Sequence, residues 1–245
     1  MLTKRLFLFT ISILPLVALF SSCEGALFSS GEEDEKIVAP KISEGVIHFE
    51  LTYPYYQDAF MASIMPDEME MTFKNNIYRN HVTKGGLFSS TVIADCNNET
   101  LILILDLGPK RIYCALDKSL TDNMLVNYPV PDILKVNEFD SIADAFCEKK
   151  IAIFDYLADG YDVELYETVE IDIKNSNWCN QYSEIEGVLL GYEIKQFGIQ
   201  ARMIATKMES VAVNDSIFNV PQGFKEVTLE KMLFEMDEIS KSFSY

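Results

Sequence analysis

The chain is expected to fold as a mainly β domain of the α+β class, and three stretches carry that expectation. Between Asp162 and Lys174, Val163, Leu165, Val169, Ile171 and Ile173 alternate with polar residues, the period of an antiparallel strand with one solvated face. Met69, Met71 and Phe73 alternate with Glu68, Glu70, Thr72 and Lys74 and stop at the turn-prone pair Asn75-Asn76. Ser89 to Cys96, Leu101 to Leu105 and Arg111 to Leu116 are short apolar runs separated by Asn97-Asn98 and Gly108-Pro109, the pattern of a meander.

Ahead of this β pattern, Lys4 and Arg5, an apolar run from Leu6 to Phe20, and Ser21-Ser22 lead into Cys23. A charged start, a short apolar region and small residues before a cut are the export pattern. Residues 1–22 are therefore expected to be a lipoprotein signal peptide and Cys23 the lipidated residue. The run is 15 residues and broken by Pro15, short of the about 20 that a spanning helix needs. Phe20 stands where a strict lipobox has an aliphatic residue. Acyl chains such as palmitate on Cys23 would hold the protein on a membrane face without spanning it. Residues 23–43, with Ser29-Ser30-Gly31 and Glu32-Glu33-Asp34-Glu35, have little to bury and are expected to be an acidic flexible tether. Residues 44–245 are expected to form a single β-rich domain ending in a helix.

Removing residues 1–22 deletes two bases and no acid, leaving 38 acidic against 18 basic residues, a formal charge of −20. Nucleic acid is excluded as a partner by the lack of clustered Lys and Arg. An anionic bilayer is disfavoured too, so membrane attachment must come from the lipid. Cys96, Cys114, Cys147 and Cys179 remain after Cys23, an even number that permits disulfides in an exported chain. Sequence ranks none of their three pairings, and buried free thiols are equally compatible. With no C-x-x-C and only His48 and His81, no metal site is expected, and no cofactor.

Along the domain, Val46, Phe49, Leu51 and Tyr53 open a strand-like stretch ending at Pro54. Tyr56, Ala59, Phe60 and Ile64 then fall three or four apart, a short helix over Tyr55 to Met65. Met61, Met65, Met69 and Met71 cluster here, and methionine adapts to varied apolar shapes. His81, in Asn80-His81-Val82-Thr83-Lys84-Gly85-Gly86, is expected in a solvated loop. Glu167 alone interrupts the apolar row of the strongest strand, either as a buried carboxylate or, more in keeping with a thirteen-residue run, as a bulge or strand end. Pro221 and Gly223 in Phe218-x-Val220-Pro221-x-Gly223-Phe224 predict a sharp turn off the last strand. Leu229, Met232, Leu233, Met236 and Ile239 form a helical stripe behind Thr228, an N-cap, with Glu230 in the first turn.

Several features of the second half occur as a set: Ser141-Ile142-Ala143 leading to Cys147, Glu164-Leu165-Tyr166-Glu167-Thr168, Gly191-Tyr192-Glu193-Ile194, and the Phe218 to Phe224 stretch. Together they resemble an uncharacterised Bacteroidota lipoprotein family, the domain of unknown function 4412, which is similar to the periplasmic lipoprotein carriers (LolA-like). The resemblance spans roughly residues 44–228. It implies a strongly curved antiparallel sheet, or unclosed half-barrel, with helices packed on the concave face. The family's Ile-Ala-Gly-Tyr-x-Cys theme reads Ile142-Ala143-Asp144-Ala145-Phe146-Cys147 here, so a bend that glycine would ease must be made by other residues.

Gly-x-Ser-x-Gly, His-Glu-x-x-His and phosphate loops are all missing from the chain. It is expected not to be an enzyme and to have no catalytic residues. The expected function is a lipid-anchored envelope protein, in the outer membrane facing the periplasm or exposed at the cell surface, that binds a lipid or other hydrophobic ligand in the curved sheet. A non-catalytic envelope scaffold making protein–protein contacts is the alternative. Protein partners, oligomeric state and ligand-binding residues are not specified by sequence.

Overall fold

Alternation in the sequence becomes one sheet. In this computed structural model, residues 41–54, 65–86, 88–126, 128–154, 160–196 and 199–242 are described. The strands are β1 (Glu44–Thr52), β2 (Glu68–Lys74), β3 (Ile77–Lys84), β4 (Phe88–Asp95), β5 (Thr100–Asp106), β6 (Arg111–Leu116), β7 (Asp132–Ile142), β8 (Ala145–Ile153), β9 (Asp162–Thr168), β10 (Val188–Gln196), β11 (Ile199–Glu209) and β12 (Lys225–Glu226). Helix α1 (Lys118–Leu125) follows β6, and α2 (Leu229–Ser242) follows β12. The strand order is β12-β6-β5-β4-β3-β2-β1-β11-β10-β9-β8-β7, and the sheet does not close into a barrel. All pairs are antiparallel except β12 on β6, so the expected antiparallel sheet is mixed at one edge. There the chain arrives from a distant strand instead of through a hairpin.

Two of the hairpins turn through pairs of residues at positive φ. Asn75 and Asn76 (φ 53° and 64°) join β2 to β3. Ala143 and Asp144 (φ 50° and 67°) join β7 to β8. Asp144 thus makes the bend at the position where the resembling family has glycine, helped by a short polar side chain suited to this region.

Across β1–β6 and β11 the period of two sorts side chains onto two faces. Ile47, Phe49, Phe73, Leu103, Cys114 and Met203 are buried on one face. Helix α2 packs there through Met232, which is 1% exposed. Its N-terminus is capped as expected, with the Lys231 N–H donating to Thr228 Oγ1. The other face presents His48, Glu70, Arg79, His81 and Thr91.

After β11, in the middle of the sheet, residues 210–224 run over this second face to reach β12 at the edge, seven strand positions or about 34 Å away. Fifteen residues fully extended would reach about 50 Å, so the strap has length to spare for a turn. It is pinned where Lys74 Nζ donates to the Val213 carbonyl (2.9 Å) and pairs with Asp215 (2.9 Å). A short 3-10 turn, Asp215–Phe218, follows, and Gly223 takes the expected positive φ (88°). The chain then rounds the edge at β12, and α2 returns across the first face.

Two expectations are corrected. The strand expected over residues 162–174 ends at Thr168. Beyond it Ile171 pairs in parallel with Ile42, through Ile42 N–H to Glu170 O and Asp172 N–H to Ile42 O (both 2.8 Å). Ile171 and Ile173 are buried without staying in the ladder, whereas Val169, expected on the same apolar face, is 61% exposed. His81 is in β3 rather than a loop, since polar residues suffice for a strand whose outward face is not in the core. The expected helix over Tyr55 to Met65 falls on residues 55–64, outside those described.

Candidate functional site

The apolar cavity lies between α2 and the sheet. It is about 200 Å³ and is lined by Tyr53, Met65 and Pro66, by Phe88, Ser90 and Leu105 of β4 and β5, by Ile199 and Ala201 of β11, and by Met236, Ile239 and Ser240 of α2. β5 and β11 stand five strand positions apart, about 24 Å on a flat sheet. Residues so separated line one small cavity only because the sheet bends around it. Among the described residues no charged side chain contributes to the lining. Tyr53 donates its hydroxyl to the Pro66 carbonyl at 2.6 Å. Its pKa is pushed up by burial first and by Asp67 second, so it stays neutral.

A charged clamp holds α2 over this cavity. Glu235 is 4% exposed, with Lys110 Nζ at 2.5 Å and Lys231 Nζ at 2.6 Å from its carboxylate oxygens. The Lys110 hydrogen bond first, and the Lys231 one next, hold the carboxyl below its usual range. Lys110 stands between β5 and β6, so the helix is tied to the strand edge that it crosses.

The opposite face is polar. Register places His48 across from Glu70 and Glu70 across from His81, so the chain's two histidines flank one carboxylate in a row over three strands. The rings are turned to other partners: His48 Nε2 is 3.3 Å from Glu209 Oε2, and His81 Nδ1 is 2.8 Å from Thr91 Oγ1. Burial first and Arg79 second lower the His81 pKa, with Glu70 opposing, which keeps the ring neutral at pH 7. A groove of about 720 Å³ lies along His48, Glu50, Glu68, Glu70 and His81. A second, of about 680 Å³, lies between β3–β6 and the strap.

Glu167, the carboxylate that breaks the apolar row, is buried and ion-paired with Lys150, itself 6% exposed. Its other oxygen accepts from the Gly187 N–H. A Cβ on Gly187 would sit 2.4 Å from the Thr168 carbonyl oxygen, so glycine is required for that approach. A bulge in β10 between Leu189 and Gly191 lies opposite, which reconciles the buried carboxylate with the expected irregularity. Glu193 is paired likewise, with Arg202 Nη2 at 2.6 Å. The four domain cysteines are free. Burial pushes the thiol of Cys96 up to about 12, and those of Cys147 and Cys179 to about 11. Protonated thiols are poor nucleophiles. Cys23 lies outside the described residues.

Sequence reasoning missed the cavity lining, because its residues lie far apart along the chain. Met65 was within its methionine cluster, and Met236 and Ile239 were within its helical stripe. No single-segment pattern joins these to Leu105 and Ala201.

No family model matches the chain, and no curated protein is similar to it. A solved structure described as "Structure of PNGF-II in C2 space group" is similar with a TM-score of 0.51 and 11% identity, covering 80% of this chain and 33% of that one. The chain spans about a third of that protein's length, and the likeness is one of fold alone.

Proposed function

We propose that the chain is a lipid-anchored protein of the bacterial cell envelope that binds an apolar ligand, an acyl-chain segment or an apolar ring, under α2. The observation that carries this reading is the cavity: about 200 Å³ with no charged lining residue among those described, between α2 and a bent sheet. It is smaller than the roughly 300–1,000 Å³ typical of small-molecule sites. An engineered apolar cavity of about 150 Å³ holds benzene, so the space suits part of a lipid and not a whole one. The order Lys4-Arg5, apolar run, Ser21-Ser22, Cys23 supports attachment through acyl chains. The resemblance to the lipoprotein family and its carrier-like relatives supports both points. We read the protein as binding without catalysis; the polar groups among the described lining residues are the Tyr53, Ser90 and Ser240 hydroxyls.

Two experiments test this. In cells, replacing Cys23 with Ser should move the protein from the membrane to the soluble fraction, and continued membrane association refutes the anchor. The Cys23→Ser chain should bind a fluorescent fatty-acid analogue, and Ala201→Phe, which fills the cavity, should weaken binding at least tenfold while circular dichroism is unchanged. Undiminished binding by a folded Ala201→Phe chain refutes the cavity as the site.

A scaffold is the second reading, favoured by one observation. Phe139 and Phe146, 59% and 58% exposed, stack at 5.0 Å on the β7–β8 hairpin. An exposed aromatic pair on an edge hairpin suits a protein contact. Replacing both with Ser should abolish any partner recovered by crosslinking in cells; unchanged recovery refutes this contact.

A further inference from the structure

We propose that the groove under the strap is a binding site for a small anion, a carboxylate or phosphate on a partly apolar body, with Arg79 as its anchor. The evidence begins with a comparison of the three domain arginines. Arg202 reaches Glu193 Oε1 with Nε at 2.7 Å and Nη2 at 2.6 Å. Arg111 Nε is 3.2 Å from Asp106 Oδ2. Arg79 has only Glu70 Oε1 at 3.8 Å, outside hydrogen-bond range, and its guanidinium makes no hydrogen bond among the described residues. Its side chain is nonetheless just 17% exposed, the least of the three.

A guanidinium carries five donors in a fixed fork. Enclosing it without acceptors costs free energy that a bidentate carboxylate or phosphate returns. Burial leads the causes that lower the Arg79 pKa, with Glu70 opposing, in keeping with a cation short of partners.

The surroundings specify the rest of the ligand. Arg79 and His81 share a face of β3, and Ser89 and Thr91 supply hydroxyls beside them on β4. Ile93, the cross-strand partner of Arg79, and Ile104 make an apolar floor, which Ile217 and Phe224 of the strap face across about 680 Å³. An anionic head at Arg79 with a short apolar body along this floor satisfies both. The chain's formal charge of −18 opposes anions at long range, so such binding must be local and built by these contacts.

The site is separate from the cavity under α2, and a probe without a tail keeps the two apart. The Cys23→Ser chain is titrated with inorganic phosphate and with propionate, following the Arg79 Nε–H resonance and heat. At least one probe should shift that resonance with a saturable isotherm. Arg79→Met should weaken binding tenfold or more, and Arg79→Lys, which keeps charge but loses the fork, should fall between. If Arg79→Met fails to fold, Arg79→Lys alone decides: affinity equal to the unaltered chain overturns the proposal. No saturable response at 10 mM, or equal binding by a folded Arg79→Met, also overturns it. Anionic phosphatidate vesicles form a third arm. Binding to vesicles that depends on Arg79 assigns the head group to a lipid, whereas binding of the free anions without vesicle association assigns it to a soluble molecule.

Discussion

The two faces of β1–β6 are made by the same strands, one residue apart, and end as opposite environments. On one, Phe49, Phe73 and Leu103 belong to the buried cluster that includes Met232 of α2, and the cavity beside it has no charged lining residue among those described. On the other, Arg79 and His81 face the strap across one groove, and His48, Glu70 and His81 line a second. A helix can cover apolar surface because its own polar backbone is satisfied internally. A strap outside helix and sheet has backbone groups to satisfy, and it lies where side chains such as Lys74 can do so. What covers each face follows from this difference.

The largest effect is expected where the contrast between a dry and a polar face fails, at the buried pair Lys150–Glu167. Lys150→Met should cost about 3–5 kcal/mol in urea denaturation because it strands a buried carboxylate. Lys150→Met with Glu167→Met should recover much of that. A single-variant cost below about 1 kcal/mol would mean that the pair is solvated and the contrast holds throughout. Next, Met232→Ala should cost about 2–4 kcal/mol through the cavity it leaves under α2. It should reduce binding of an apolar probe while the Arg79 Nε–H resonance stays in place. Movement of that resonance would show the faces to be coupled.

Gly223→Ala places a Cβ at φ 88° with open space around it, so its cost is backbone strain alone, about 1 kcal/mol. It should disturb the strap and the groove beneath, read as a shift in the Arg79 resonance, before it affects the apolar cavity. The smallest effect is expected for Glu235→Gln. Because the Glu235 carboxyl titrates lower folded than unfolded, its contribution is complete above the unfolded value, about 4.3. It is lost as pH falls through the lowered folded value. With half-exposed lysines as partners the contribution is under about 1 kcal/mol. The variant should therefore lose that contribution at pH 7, match the unaltered chain near pH 2, and so flatten stability against pH in the acid range. A difference that persisted equally at pH 2 would deny the clamp an ionic origin.

β2, the Asn75-Asn76 turn, the meander β4–β6 and α2 were legible in sequence because each is stabilised by its own period: two for strands, three to four for the helix. β7 was not, since its side chains are largely exposed as an edge and leave no alternation to read. His81 was misplaced because Asn80-His81-Val82-Thr83 resembles a loop when only one face of its strand needs to be apolar. Glu167 was visible as an interruption, but Lys150 as its partner was not, because the register of β8 against β9 joins residues seventeen apart. The apolar cavity depends on β1 pairing with β11, more than 150 residues away. A local pattern carries no trace of a contact at that separation, so the expectation of a ligand space rested on resemblance while its walls came from topology.

Residues 210–242 pass over one face, round the β12 edge and return across the other. The groove and the cavity therefore share a birth date. A nascent chain that has released only the first 209 residues already holds every strand from β1 to β11, yet it has neither roof: the groove lacks Ile217 and Phe224, and the cavity lacks Met236 and Ile239. The segment from 210 to 242 is the one that roofs a bare sheet, and it does so on both sides in a single passage.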